Sequence, residues 1–296
     1  MVKIISDSTC DLSKEIVDRY NIDIVPLHVL MGDNEYEDGV NITPDEIFAW
    51  SDANKTTPKT SAPSMESVIE TFKPCIEKGY DIVAFAISDE GREIVCFSIS
   101  SSMSTSGNVM RIAAEELEAE DCITVIDSAN LSTGIGHQVV EAAIMAQHGM
   151  NADEIVSYIE QIKPKVRASF VVDTLVYLYR GGRCSGLAAM AGGVLKLHPR
   201  IGVAQGKMSP GKKYRGKISK VVMDYVKDME ADLMTAKKDR VFITHSGCDK
   251  EIVDNVKEYL KSLNRFDEII ETRAGGVISS HCGPGTLGVL FIDGKN

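Results

Sequence analysis

The chain has 296 residues, 44% of them hydrophobic and 25% charged, and a net charge of -11. Such a composition excludes a disordered or fibrous protein, and no apolar run approaches the roughly 20 residues that span a bilayer as a helix. The acid excess argues against nucleic-acid binding as a main role, because phosphate contacts need a basic surface.

Taken in chain order, residues 2–6 are apolar and β-branched and read as a strand, followed by the capping cluster Asp7-Ser8-Thr9. The opening MVKIISDSTCDL turns polar too early for a secretory leader. Residues 12–20 have helical spacing, and 23–30 read as the next strand. Thr43, Pro44 and Glu46 form a capping-box helix start, and Ser61-Ala62-Pro63-Ser64 opens another helix into 65–73. Continuous apolar runs predict buried parallel strands at 81–87 and 122–126, with helices over 103–118 and 131–147. This alternation predicts a parallel sheet covered on both faces.

Beyond residue 150 the texture changes. An amphipathic helix over 152–162 ends at Lys163-Pro164, where a domain boundary is expected. The second half then reads as a strand at 168–172, a helix at 175–180, a glycine corner at 181–183 and a small-residue helix at 185–195. A hairpin over 199–216, a long helix over 217–236, and a strand at 241–244 follow. A helix over 250–263 and strands at 268–272 and 287–292 complete the pattern. The expected fold is α/β in two domains, a parallel-sheet, Rossmann-like unit at 1–163 and a mixed-sheet α/β unit at 164–296.

Metal chemistry has little support. The six histidines form neither HxxxH nor HExxH, and the seven cysteines stand singly, as reduced thiols of a cytoplasmic protein do. Asp7, Asp11 and Asp127 could meet at strand ends but read as helix caps. Gly211 to Lys217 imitates the GxxxxGK of a phosphate loop, yet Ile218 stands where a magnesium-binding hydroxyl is needed. Gly134-Ile135-Gly136 lacks the third glycine of a dinucleotide fingerprint and reads as tight packing. From Lys196 to Lys217 the chain carries seven basic residues and no acid, a segment that could serve an anionic ligand or an acidic partner, although for most of its lysines a solvated loop is the simpler reading.

Two hydroxyl clusters stand out, Thr60-Ser61-Ala62-Pro63-Ser64 and the serine-rich stretch 100–106. Each precedes an expected helix, where free backbone N–H groups and hydroxyls together favour an anion. His281 lies between small residues and a Gly-Pro-Gly turn in SSHCGPG, an unusual setting for a packing residue.

The ordered set DSTCDL (7–12), TSAPS (60–64), ISSSMS (99–104), DSANLSTGIG (127–136), DTLVYLYRGGR (173–183), LKLHP (195–199) and SHCGPGTLGV (280–289) resembles the DegV family of bacterial fatty-acid-binding proteins. The resemblance implies a long-chain fatty acid, such as palmitate, stearate or oleate, held between two α/β domains with no further cofactor. It also implies an ATP-dependent fatty-acid kinase subunit as partner, which phosphorylates the bound carboxylate for phospholipid synthesis, and transient contact with a membrane surface. Carried over by motif, Thr60, Ser104 and His281 would bind the carboxylate. Arg215, Ser61, Ser101 and Arg183 would contact the head group or the kinase. Met103-Ser104-Thr105-Ser106 lacks the glycine of the family's Leu-Ser-Gly-Thr, which bears on how closely the backbone approaches the head group. The stretch 88–97 is several residues longer than usual, so a shifted register with Ser101 or Ser102 as ligand stays open. His198 stands where the family commonly has lysine. Two other readings are a small-molecule phosphotransferase subunit and an acyl hydrolase using Ser104 and His281.

Overall fold

The computed structural model describes residues 2–80, 94–182 and 197–295. The strand expected at 81–87, the helix at 185–195 and Arg183 lie outside the described residues.

The first half builds a parallel sheet of four described strands, ordered Asp23–Val25, Lys3–Asp7, Ile94–Ser98, Ile123–Asp127. The second half builds a mixed sheet of six described strands, ordered Lys207–Arg215, Leu197–Ala204, Val166–Val171, Leu287–Ile292, Arg240–His245, Glu268–Arg273. Only its last two strands are parallel neighbours; the other pairs are antiparallel. Ile94–Ser98 is buried along its whole length, as a central parallel strand should be, and the sequence reading passed over it.

Helix Thr133–Gln147 is the keel between the two sheets. It packs on strand Lys3–Asp7 on one side and on Val166–Val171 and Leu287–Ile292 on the other. Burial on nearly all sides explains why it reads as small and apolar rather than amphipathic. Gly136 sits in it against Leu12 and the Cys10 carbonyl, which fits the packing reading of the paired glycines. Polar groups along the helix are answered across the seam. Thr133 meets Thr244 at 2.6 Å, the His137 Nε2 meets the Leu290 carbonyl at 3.0 Å, and Glu141 pairs with Arg240 at 2.5 Å. Burial lowers His137 to about 4, so it stays neutral.

Some expected elements differ. The single strand at 23–30 is two, Asp23–Val25 and His28–Met31, in different sheets. Pro26 separates them; it has no N–H to give a ladder, so the chain turns there. His28–Met31 joins Asn34–Glu37 and Lys59–Ser61 in a small antiparallel sheet that short polar strands did not announce. The helix expected over 103–118 is Ser106–Glu116, which leaves the serines before it in a loop. The helix expected over 217–236 breaks at Met229 into Ile218–Asp228 and Glu230–Leu233. No described helix is long and apolar enough to cross a membrane.

Candidate functional site

Thr60 lies in Lys59–Ser61, paired opposite Val29 in the small sheet. His281 is near the end of helix Gly276–Cys282, which leaves the C-terminal end of strand Glu268–Arg273. The two side chains meet at 2.8 Å, Thr60 Oγ1 to His281 Nε2. Gly181 covers the other side of the ring, where a Cβ would overlap Nδ1, so only glycine lets helix Val176–Gly181 come this close.

Ser104 belongs to the loop between strand Ile94–Ser98 and helix Ser106–Glu116. Its Oγ accepts the Ser106 N–H at 3.3 Å, which leaves the hydroxyl proton to donate elsewhere. The loop is shaped by Asp7, a fully buried carboxylate that accepts from the Ile99 N–H at 2.8 Å and the Ser106 hydroxyl at 2.9 Å. Its other side is fixed by the second half of the chain: Ser100 donates to the Gly206 carbonyl at 2.8 Å, and Ser102 donates to the same oxygen. Gly206 is the tip of the hairpin formed by Leu197–Ala204 and Lys207–Arg215.

These elements enclose a cavity of about 460 Å³. Thr60, Ser61, Ser101, Ser102, Ser104, Thr105 and His281 make its polar lining; Leu27, Ile99, Met103, Leu131, Met208, Val277, Ile278 and Cys282 contribute to its apolar wall. Burial pushes the Cys282 thiol up to about 12, so it serves as a small apolar group rather than a nucleophile. Behind Leu131, Ile278 and Cys282, which line both, lies a second and smaller apolar cavity of about 30 Å³.

The structure therefore brings Thr60, Ser104 and His281 into one cavity, with Ser61 and Ser101 at its lining. Ser102 lines it as well, but its hydroxyl is directed to Gly206. Arg215 is not among the lining residues: it ends the edge strand Lys207–Arg215 and is exposed. His198, at the expected lysine position, is buried between the carbonyls of Val172 at 2.9 Å and Gly216 at 3.2 Å, a structural placement. Among the described residues no group of three or more His, Cys, Asp or Glu is placed to hold a metal ion. Asp127 accepts from the N–H groups of Ala129 at 2.8 Å and Ser101 at 3.3 Å, as a cap does.

Two carboxylates stand beside the cavity: Asp11, which the sequence reads as a helix cap and which does cap a helix, though one far away in the chain, and Asp38, which sequence reasoning missed. Asp11 accepts the Gly275 N–H at 2.8 Å and the Ser132 hydroxyl at 2.5 Å. Asp38 accepts the Gly276 N–H at 2.5 Å and the Ser8 hydroxyl at 2.9 Å. Burial pushes Asp11 up to about 8 and raises Asp38 and Asp7 as well, since their hydrogen-bond donors are neutral hydroxyls and amides. The one visible signal was the pair Gly275-Gly276 ahead of His281.

A hydroxyl-rich end, an apolar body and walls drawn from both halves define a binding protein for an amphiphilic small molecule. The family model described as DegV matches residues 1–294, and the chain belongs to the DegV family. A DegV domain-containing protein of Clostridium perfringens is 30% identical over 99% of this chain and 98% of its own length. Among solved structures, a fatty-acid-binding DegV family protein of Thermus thermophilus superposes with a TM-score of 0.85 at 28% identity, with 99% of each chain covered. A stearic-acid-binding protein of Eubacterium ventriosum superposes with a TM-score of 0.82 at 30% identity, again with 99% of each chain covered.

Proposed function

We propose that this chain binds one long-chain fatty acid between its two halves and presents the carboxylate to a separate ATP-dependent kinase. The observation that carries the reading is that Thr60, Ser104 and His281, with further hydroxyls from Ser61, Ser101 and Thr105, line the same cavity as Leu27, Ile99, Met103, Leu131, Met208, Val277 and Ile278. An ionised carboxylate out of water needs several donors. With Nε2–H of His281 donated to Thr60, the Thr60 hydroxyl donates onward to one carboxylate oxygen, and Ser104 supplies a second donor. The N-terminus of helix Ser106–Glu116, directly behind Ser104 and Thr105, adds a favourable dipole. Each methylene of the tail buried against Leu131, Met208 and Ile278 contributes about 0.8 kcal/mol before ordering costs.

The chain itself performs no bond chemistry in this reading. The partner transfers the γ-phosphoryl group of ATP to a carboxylate oxygen, giving acyl phosphate and ADP for phospholipid synthesis. Arg215 and the neighbouring exposed Lys212 and Lys213 form the face offered to the kinase or, transiently, to an anionic membrane surface. In the same reading Arg183 is a further contact for the head group or the kinase. The setting is the cytoplasm, and the two domains of the reading are 1–163 and 164–296.

Mass spectrometry of ligand extracted from natively purified protein tests this. A stoichiometric fatty acid is expected. Protein that carries none and takes up no added C14 to C18 acid would refute the reading.

A further inference from the structure

Helix Gly276–Cys282 has an unusual start. Its N-cap is Gly275, which has no side chain with which to cap it, although the first N–H groups of any helix lack partners inside the helix. The caps arrive from far away in the chain. Asp11, 264 positions distant, takes the Gly275 N–H, and Asp38, 238 positions distant, takes that of Gly276. Both carboxylates are buried, at 5% and 2% exposure, and both belong to the first half of the chain, whereas the helix belongs to the second.

The glycines are what make the approach possible. A Cβ on Gly275 would stand 3.1 Å from Asp38 Oδ1 and 3.3 Å from Asp11 Oδ1; one on Gly276 would stand 3.0 Å from Asp38 Oδ1 and 2.9 Å from Ile47. The carboxylates are themselves braced. Ser8 donates to Asp38 while accepting the Leu27 N–H at 3.2 Å, and Ser132 donates to Asp11. Two fixed acceptors on successive amides set both the position and the axial rotation of a seven-residue helix, and so where its His281 ring points.

We propose that Asp11 and Asp38 are positioning residues: a two-carboxylate clasp that docks the Gly276–Cys282 helix on the first half of the chain and holds His281 in register with Thr60. Only the consequence for ligand affinity rests on the fatty-acid reading above; the clasp itself does not.

The test compares Asp38→Ala with Asp38→Asn. Asparagine keeps an acceptor for the Gly276 amide, and alanine does not. Three readouts are taken: the His281 ring nitrogen signals by NMR without ligand, amide exchange at Gly275 and Gly276, and palmitate affinity. Alanine should move the His281 signals and weaken palmitate binding about tenfold, the usual scale for a lost cap, while asparagine stays within about threefold of the parent. Folded Asp38→Ala with unmoved His281 signals would overturn the clasp whatever its affinity. Should Asp38→Ala not fold, exchange in the parent protein decides. Both amides should be protected like the strand interiors, despite sitting at a helix start, and rapid exchange at both would overturn the proposal. A parent protein that binds no palmitate would refute the fatty-acid reading alone, since the ring signals and amide exchange still judge the clasp.

Discussion

Thr60 and His281, 221 positions apart, share a hydrogen bond of 2.8 Å that joins the small antiparallel sheet to the last turn of a helix from the other half of the chain. In the proposed site this contact frees the threonine proton for the ligand. Thr60→Val keeps the shape and deletes the hydroxyl, and it should cost about 1.5–3 kcal/mol of fatty-acid affinity, as loss of a hydrogen bond to a charged group does. His281→Ala should lose a similar amount, and the double variant little more than either, because the two act as a unit. Calorimetric titration with palmitate checks this; full additivity would mean that the two side chains work independently.

Leu131, Ile278 and Cys282 separate the main cavity from the small one behind it. Leu131→Ala should merge the two and move the preferred acyl chain to greater length, by about one or two carbons on a scale of roughly 0.8 kcal/mol per buried methylene. The bound acyl profile of parent and variant, extracted from the same host, reads this directly. An unchanged profile would place the tail elsewhere along the wall.

Asp11 gives the protein a characteristic pH response. Burial raises it to about 8, above its unfolded value, so the folded chain holds a proton that the unfolded chain releases above about pH 4. The stability this group contributes is complete at low pH and is lost as pH rises through its folded value. Asp7 and Asp38, also raised, add to the same slope. Denaturant titrations between pH 5 and pH 8 should show a downward slope that is shallower in Asp11→Asn. Equal slopes would mean that Asp11 is ionised throughout.

Glu141 on the central helix accepts from Arg240 and Lys237, both at 2.5 Å, and both it and Arg240 are only 7% exposed. Burial opposes the charged form of Glu141, yet the two cations hold its pKa below the ordinary range. Removing Arg240 leaves one buried Glu141 oxygen without its cation, while Lys237 still holds the other. Arg240→Met should cost about 3–5 kcal/mol, and pairing it with Glu141→Leu should recover part of the loss. Chemical denaturation of the two single variants and the double variant measures the coupling, and a simply additive double would deny it.

Periodicity made the alternation of strands and helices legible, and with it the parallel sheet and the mixed sheet. It failed where one short element changes partners. The run at 23–30 looks uniform by composition, and only Pro26 marks the place where the chain leaves one sheet for another. Thr60 and His281 could be singled out because a hydroxyl cluster and a histidine between small residues are locally odd. Asp11 and Asp38 could not, since a capping aspartate looks the same in sequence whether the helix it caps is its own or one more than two hundred residues away. The small antiparallel sheet escaped notice for a similar reason: its strands have three or four residues, too few for an alternation to register.

The hairpin tip at Gly206 has a bearing on how the halves are joined. The seam along the central helix is crossed by buried ions that would be left unpaired if the halves gaped, a cost of several kcal/mol. The tip, by contrast, is fastened to the serine loop by two neutral hydroxyl-to-carbonyl bonds, a buried one from Ser100 and a part-buried one from Ser102, and Met208 beside it lines the cavity. Parting the tip from the serine loop would break two neutral hydrogen bonds, about 1 kcal/mol each, and no ion pair, so the halves are joined more firmly at the central helix than at the hairpin.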